Sequence, residues 1–244
     1  MATQLLPLDQ IDLRVSERAL ILVWQNPASR RFTKVGQLDS LPENRFAFHY
    51  FPEIAEVEDF VPLDEFPSLS HAYVSDEVPA FFANRILSAE RRGYSKYLTW
   101  LGIDQLDGSA IPFEFLARSG GGRATDTFHI VDLPVQGSTT FTSRFFISGI
   151  RYMPDATRVL GEIHDGSVLA LELDEANQAN PKAVLIDTLD GSKIGYVPDW
   201  LCHDIHALIK DGWSLTAVAE RVNPDAPAHV RVLCRIDANR KATA

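Results

Sequence analysis

The first fifty residues alternate between unbroken apolar runs and strict period-two patterning. Ala19–Trp24 is continuously apolar and stops at Asn26-Pro27, which predicts a buried strand over 19–27. FTKVGQLD (32–39) predicts a second strand and RFAFHYFP (45–52) a third. In the third, Phe46, Phe48 and Tyr50 share one face. Together the three predict an antiparallel meander. The acidic, proline-dotted stretch 53–70 holds no period and predicts loop. From Ser75 the spacing turns helical. Ser75-Asp76-Glu77 is placed to cap a first helix with Phe81, Phe82, Ile86 and Leu87 as its buried stripe. Gly93 separates a second helix over 94–101. Pro112–Leu116 opens a short helix or turn, and a glycine turn leads into a strand over 126–132.

PVQGSTT (134–140) has linker composition, so the boundary falls there: one domain over 1–137, another over 138–244. The second half changes texture. FTSRFFISGIRYMP (141–154), SVLALELDE (167–175), KAVLIDT (182–188), SKIGYVP (192–198), SLTAVAERVNP (214–224) and HVRVLCRID (229–237) predict strands. DWLCHDIHALIKDG (199–212) predicts one helix, with Leu201, Ile205 and Leu208 on one face and Gly212 near its end. Many short strands with one helix predict a small, partly open β-barrel. The fold class is therefore α+β: an N-terminal antiparallel sheet with helices, then a barrel with a capping helix. Gly195, ahead of Tyr196 and Pro198, has two readings. It marks a bulge with Tyr196 in the core, or it admits a close backbone or ligand with Tyr196 at a groove. Pro198 suits the first turn of the helix.

Charge narrows the function. The 244 residues carry 33 Asp+Glu against 23 Lys+Arg, a net charge of -10. Such a balance argues against sequence-blind binding to phosphate backbones, which takes clustered Lys and Arg. The deficit sits mostly in residues 1–137, so a nucleic-acid surface is expected in the second half, as a local patch. Two cysteines, Cys202 and Cys234, exclude a disulfide scaffold and fit a reducing, cytoplasmic setting. The N-terminal run Ala19–Trp24 is too short for a signal peptide, and no segment has the apolar length of a membrane span. No membrane partner is expected.

Candidate chemistry is sparse. RSGGGRATD (118–126) reads first as a turn between helix and strand. Arg118 and Arg123 flanking its glycines keep a phosphate contact open as the alternative. No Gly-Lys-Ser/Thr closes it, so it is not a Walker loop. Cys202 and His206 share a helix face, but paired Cys-x-x-Cys spacing is absent, so no metal site is expected. His129 reads as structural. Arg91, Arg92 and Lys96 form a small basic cluster, and Glu53–Asp59 an acidic, solvated loop. No Gly-x-Ser-x-Gly elbow occurs. No catalytic residue and no cofactor are assigned.

Two resemblances organise these fragments. FFISGIRYMP with Arg151-Tyr152, LELDEANQANPKAVLID with Asn177, Ala183 and Val184, and GSKIGYVPDWL with Gly195, Tyr196 and Pro198 occur in this order over about 144–237. This stretch resembles the HIRAN domain, a small OB/SH3-like β-barrel of helicase-like DNA repair proteins that also occurs in bacterial proteins. The resemblance implies a clamp for the 3′ end of single-stranded DNA: aromatic rings hold the terminal bases, and a polar loop reaches the terminal hydroxyl. Arg151, Tyr152, Asn177, Asn180, Lys182 and Tyr196 are then the DNA-binding candidates. The chain departs from the family at Ala179 and Asn180, where an aromatic and an aspartate are usual, and at Met153, where a second tyrosine can occur.

KVGQL (34–38), FAFHY (46–50), FFANRIL (81–87) and PFEFLARSGGGRATDTF (112–128) make residues 19–132 similar to the N-terminal subdomain of HipA-like toxin kinases. No Asp-x-x-x-x-Asn loop with a downstream metal-binding Asp follows, so kinase activity does not carry over. The combination implies a non-enzymatic DNA-binding protein with an N-terminal protein-interaction domain. The alternative is an antitoxin-like or regulatory partner of a separately encoded HipA-like kinase, with no DNA binding.

Overall fold

The computed structural model describes residues 3–8, 16, 18–123, 125–132 and 139–240. The chain divides into two compact units, Met1–Arg92 with Leu106–Leu133, and Gly93–Gln105 with Pro134–Ala244. The expected boundary at 137/138, and the linker around it up to residue 138, lie outside the described residues.

The first unit is a six-stranded antiparallel sheet: β1 (Gln4–Pro7), β2 (Arg18–Gln25), β3 (Phe32–Leu41), β4 (Arg45–Tyr50), β5 (His71–Ser75) and β6 (Phe128–Val131), in spatial order β1-β5-β4-β3-β2-β6. The β2–β3–β4 meander is the one its hydrophobic pattern predicts. Phe46, Phe48 and Tyr50 point together into the core, where the Phe48 ring lies 4.5 Å from Phe66 and 5.4 Å from Phe82. β1 and β5 escaped the sequence reading: both are short, and β5 adjoins the loop-like stretch 53–70.

The first expected helix shrinks to one turn, α1 (Ala80–Ala83), and the Ser75 cap does not form. Ser75 ends β5, and its hydroxyl donates to the Glu77 carbonyl. The carboxylate of Glu65 accepts from the Ala80 and Phe81 amides instead, at 2.9 and 2.6 Å. A distant side chain thus does the work that the local Ser-Asp-Glu motif advertised. Phe81 and Ile86 still pack on the core and Phe82 lies in it. α3 (Ile111–Ser119) follows Ala110 and carries Phe113, Phe115 and Leu116 inward.

The second unit is also an antiparallel six-stranded sheet: β7 (Thr140–Phe146), β8 (Val168–Leu173), β9 (Val184–Thr188), β10 (Lys193–Tyr196), β11 (Ser214–Val222) and β12 (Val232–Asn239), ordered β10-β9-β8-β11-β12-β7. It curls until its two edges meet, because Ser148, just past β7, pairs with Tyr196 of β10. This is the expected barrel. Among the described residues three α-helices accompany it: α2 (Tyr94–Leu101), α4 (Ala156–Glu162) and α5 (Asp199–Lys210). α5 follows Pro198 and buries Leu201, Cys202 and Ile205. α4 was not anticipated, and α2 belongs to this unit although it precedes β6 in the chain. Among the described residues no helix is long and apolar enough to cross a membrane.

Candidate nucleic-acid interface

The seam that closes the barrel also builds the site. Ser148 and Tyr196 exchange both backbone hydrogen bonds at 2.9 Å. The approach is so close that a Cβ on residue 195 would fall 2.4 Å from the Ser148 carbonyl oxygen and 2.7 Å from Ile147 Cγ2. Only glycine fits. Both readings of Gly195 hold in part. The register shifts between Lys193 and Gly195, so a bulge is present, and the close visitor is the chain's own backbone.

Past Ser148 the chain turns. Gly149 takes a φ of 74°, the left-handed region that favours glycine, and leads into a 3-10 turn over Ile150–Tyr152. Arg151 and Tyr152 therefore lie on this turn and not, as the pattern of 141–154 suggested, within a continuing strand. Ile150 is buried and anchors the turn, which leaves its neighbours outside. Tyr152 is 71% exposed. The Arg151 guanidinium sits 4.6 Å from the centre of its ring and donates to its hydroxyl. A cation over an aromatic face at an exposed site contributes about 0.5–1 kcal/mol. The pair forms a flat, positively charged platform.

The loop between β8 and β9 lies on the other side of Tyr196. The half-buried Tyr196 hydroxyl donates to Asp174 Oδ2 at 2.9 Å, and Asn177 Nδ2 donates to the same oxygen at 3.1 Å. Burial raises the Tyr196 pKa, with the bond to Asp174 and its charge adding to the shift. The hydroxyl is thus a fixed donor at neutral pH. Asn177 Oδ1 accepts from the amides of Ala179 and Asn180, each at 3.1 Å, which fixes the loop from within.

Asn180 is used at both ends of its amide. Oδ1 accepts from Lys182 N at 2.9 Å, while Nδ2 donates to Asp199 Oδ1 at 3.2 Å and to Cys202 Sγ at 3.0 Å on α5. It latches the loop to the helix. Glu175 and Lys210 make a second latch at 2.5 Å. Burial pushes the Cys202 thiol up to about 11, so it stays a neutral partner of that latch. Lys182 is exposed, and the pKa of His203 is lowered by burial first and by the Lys182 charge second.

The structure thus brings Arg151, Tyr152, Tyr196, Asn177, Asn180 and Lys182 into one unit, on a turn, a strand and a loop joined by direct bonds. It adds Asp174, which sequence reasoning missed. Its only signal was a carboxylate next to the end of the patterned strand 167–175. Its tyrosine partner lies 22 residues away.

Arg118 and Arg123 belong to the first unit. Arg118 Nε donates to Glu114 at 2.9 Å. The intervening glycines close a helix C-terminus. The Gly120 amide bonds Leu116 O at 3.2 Å, and the Gly121 carbonyl accepts from the buried Arg85 at 2.9 Å. Arg85 in turn grips Asp126 with both terminal nitrogens, at 3.2 and 2.7 Å. With the Gly120 and Gly121 amides bonded to Leu116 O and Ser119 Oγ, and Arg118 to Glu114, the loop serves as a helix-to-strand turn, and Arg123 stands exposed beside it.

Residues 140–239 match the family model of the HIRAN domain. Among solved structures, the chain is similar to a protein from Lactobacillus plantarum, at 20% identity over 41% of this chain and 91% of that one, with a TM-score of 0.35. It is also similar to the HIRAN domain of human HLTF, at 14% identity over 44% of this chain and 84% of that one, with a TM-score of 0.35. No curated protein matches the chain.

Proposed function

With residues 140–239 a HIRAN domain, we propose that this domain binds DNA and holds the 3′ end of a single strand. The observation that carries the reading is the Arg151–Tyr152 platform: an exposed aromatic ring backed by a guanidinium, on a turn braced by Ile150 and the Ser148–Tyr196 seam. A base stacks on such a face whatever its identity, at roughly 1–3 kcal/mol. Lys182 supplies a backbone contact on the adjoining loop.

Asp174 supplies the hydroxyl end. Asn180 stands where the family carries an aspartate, but its Nδ2 is held by α5 and its Oδ1 already accepts from Lys182 N. The carboxylate of Asp174 takes both of its side-chain bonds at Oδ2. Oδ1 accepts from a terminal 3′-hydroxyl and repels a terminal phosphate. Selection for a free 3′ end then follows from one charge.

The test is fluorescence anisotropy with short labelled single strands that differ only in a 3′-hydroxyl or a 3′-phosphate, at two salt concentrations. Tighter binding of the hydroxyl form supports the reading. Equal, salt-sensitive binding reduces the domain to a generic cationic patch, and no binding overturns DNA as the ligand.

For the first unit we read a protein-contact role. It is supported by an open, mostly apolar groove lined by Trp24, Pro27, Val61, Leu63 and Phe128 together with Asn26 and Asp59, in which Val61 is 75% exposed. Failure to co-purify with a co-expressed HipA-like kinase would set aside the kinase as the partner.

A further inference from the structure

The second unit carries another aromatic–cation pair, on α2. Leu98 and Leu101 are its buried side. Lys96 and Trp100, four residues apart, share the opposite side, with Lys96 Nζ 5.2 Å from the centre of the Trp100 ring. Tyr97 meets that ring edge-on at 6.1 Å, which fixes its plane. Lys96 is exposed and Trp100 half-buried. The pair repeats the chemistry of Arg151 and Tyr152.

The two pairs are mechanically joined. Asn223 Nδ2 donates to Trp100 O at 3.1 Å and to Val230 O at 2.9 Å. Val230 ends the 3-10 turn Ala228–Val230, which packs against the turn bearing Arg151 and Tyr152. The loop between β11 and β12 that carries Asn223 is braced. Asn223 N donates to Arg231 O at 2.7 Å, and Arg231 bonds Ala226 O through Nε and Nη2 at 3.1 and 2.9 Å. Arg231 is spent in this brace, so the cations of the path are Arg151 and Lys96, with the exposed His229 on the turn between them. The braced loop also carries the exposed Asp225, and Asp165 accepts from the Val222 amide beside Asn223 at 2.7 Å.

We propose that Lys96 and Trp100 form a second stacking site for the same single strand, engaged by nucleotides upstream of the 3′ end held at Tyr152. The inference rests on the DNA-binding reading above and extends it by helix α2, which lies outside residues 140–239. The helix that interrupts the first unit in sequence then lengthens the binding track of the second. A stacked base is sequence-tolerant, so the extension adds affinity with strand length and not base specificity.

The experiment is anisotropy on the full chain with single strands of about 4 and about 12 nucleotides, all ending in a free 3′-hydroxyl. Trp100→Ala is expected to leave the short strand unchanged and to weaken the long one by about fivefold or more. Trp100→Phe is expected to keep the long-strand affinity, and Lys96→Ala to lose part of it. Tryptophan quenching that appears only with the long strand, and vanishes in Trp100→Phe, supports the same placement. Equal weakening of both lengths by Trp100→Ala marks a structural role and overturns the proposal, as does an unaltered long strand in both alanine variants. In those outcomes the short strand still binds the parent protein and the 3′-end reading stands. If neither length binds the parent, both readings fall.

Discussion

Gly195 and Ser148 lie so close that the carbonyl oxygen of Ser148 occupies the place where residue 195 would carry a side chain, 2.4 Å from an ideal Cβ. The obstacle is backbone, so it cannot swing aside. Gly195→Ala is expected to force the seam apart and to weaken the two Ser148–Tyr196 hydrogen bonds. Two bonds at about 1 kcal/mol each, plus repacking around Ile147, give a loss of about 2–4 kcal/mol. Chemical denaturation measures it directly. A variant as stable as the parent would show that the seam is not needed to close the barrel.

Tyr152 tests the other end of that seam. Its ring is exposed, so removing it costs the fold little. Tyr152→Ala is expected to keep the melting temperature and to weaken single-strand affinity by roughly 1–3 kcal/mol. Tyr152→Phe keeps the stacking face and should bind nearly as the parent does. Unchanged affinity in a folded alanine variant takes Tyr152 out of the site.

Lys182 addresses the phosphate backbone. Lys182→Ala is expected to weaken binding of all sequences alike and to lower the slope of log affinity against log salt by about 0.7, the value for one single-strand phosphate contact. A slope that stays put means Lys182 touches no phosphate.

The fold was legible wherever pattern and burial coincide. The meander over 18–50 shows in the sequence because Phe46, Phe48 and Tyr50 alternate into one core. α5 shows because Leu201 and Ile205 share a face behind Pro198. The site was legible only in part. Tyr196 and Arg151 stand near glycines that mark tight geometry, but the chemistry of Tyr196 comes from a tertiary partner. Asp174 is selected by a tyrosine on another strand, and Asn180 is consumed by a helix that follows β10. Glu65 capping α1 is the same lesson: a bond between residues 15 apart leaves no local signature. The turn at Gly149 broke an apolar pattern that continued past it, so Arg151 and Tyr152 read as strand.

A buried carboxylate in the first unit gives a pH prediction. Asp39 on β3 is fully buried, and its Oδ2 has no hydrogen-bond partner at 3.6 Å from His49 Nδ1. Burial raises the Asp39 pKa above its usual 3.8, against the bond from Gln37, the charge of His49 and the Ser16 hydroxyl. Above 3.8 the unfolded chain releases this proton first, so the folded state binds more protons. Stability therefore falls as pH rises from 3.8 through the folded-state pKa, and the deficit persists at neutral pH. His49, lowered by burial, works in the opposite sense below 6.5, where acid costs stability. Asp39→Asn removes the first effect, deepens the second by taking away the charge that raises His49, and places an amide donor toward His49 Nδ1. The variant is expected to be more stable by about 1 kcal/mol near neutral pH, with the gain shrinking toward acid. Denaturation curves across pH decide it, and a variant less stable at every pH would show that the ionised carboxylate is needed where it stands.

Asp174 carries the claim of end selection. Its Oδ2 is held by Tyr196 and Asn177, so the carboxylate cannot rotate freely, and its charge faces whatever reaches Oδ1. A hydroxyl donates to a carboxylate oxygen but not to an amide nitrogen, and a phosphate is repelled by the first and accepts from the second. Asp174→Asn keeps the shape and can keep an oxygen toward Tyr196. It is expected to bind a 3′-hydroxyl strand about tenfold more weakly, the loss of roughly 1.5 kcal/mol for a charge-assisted bond. Binding of the 3′-phosphate strand should rise at the same time. The two changes have opposite signs, which separates them from general damage to the loop, since damage would weaken both. A variant that lowers both affinities together, or neither, assigns Asp174 to holding the loop and leaves the terminal hydroxyl without a carboxylate partner.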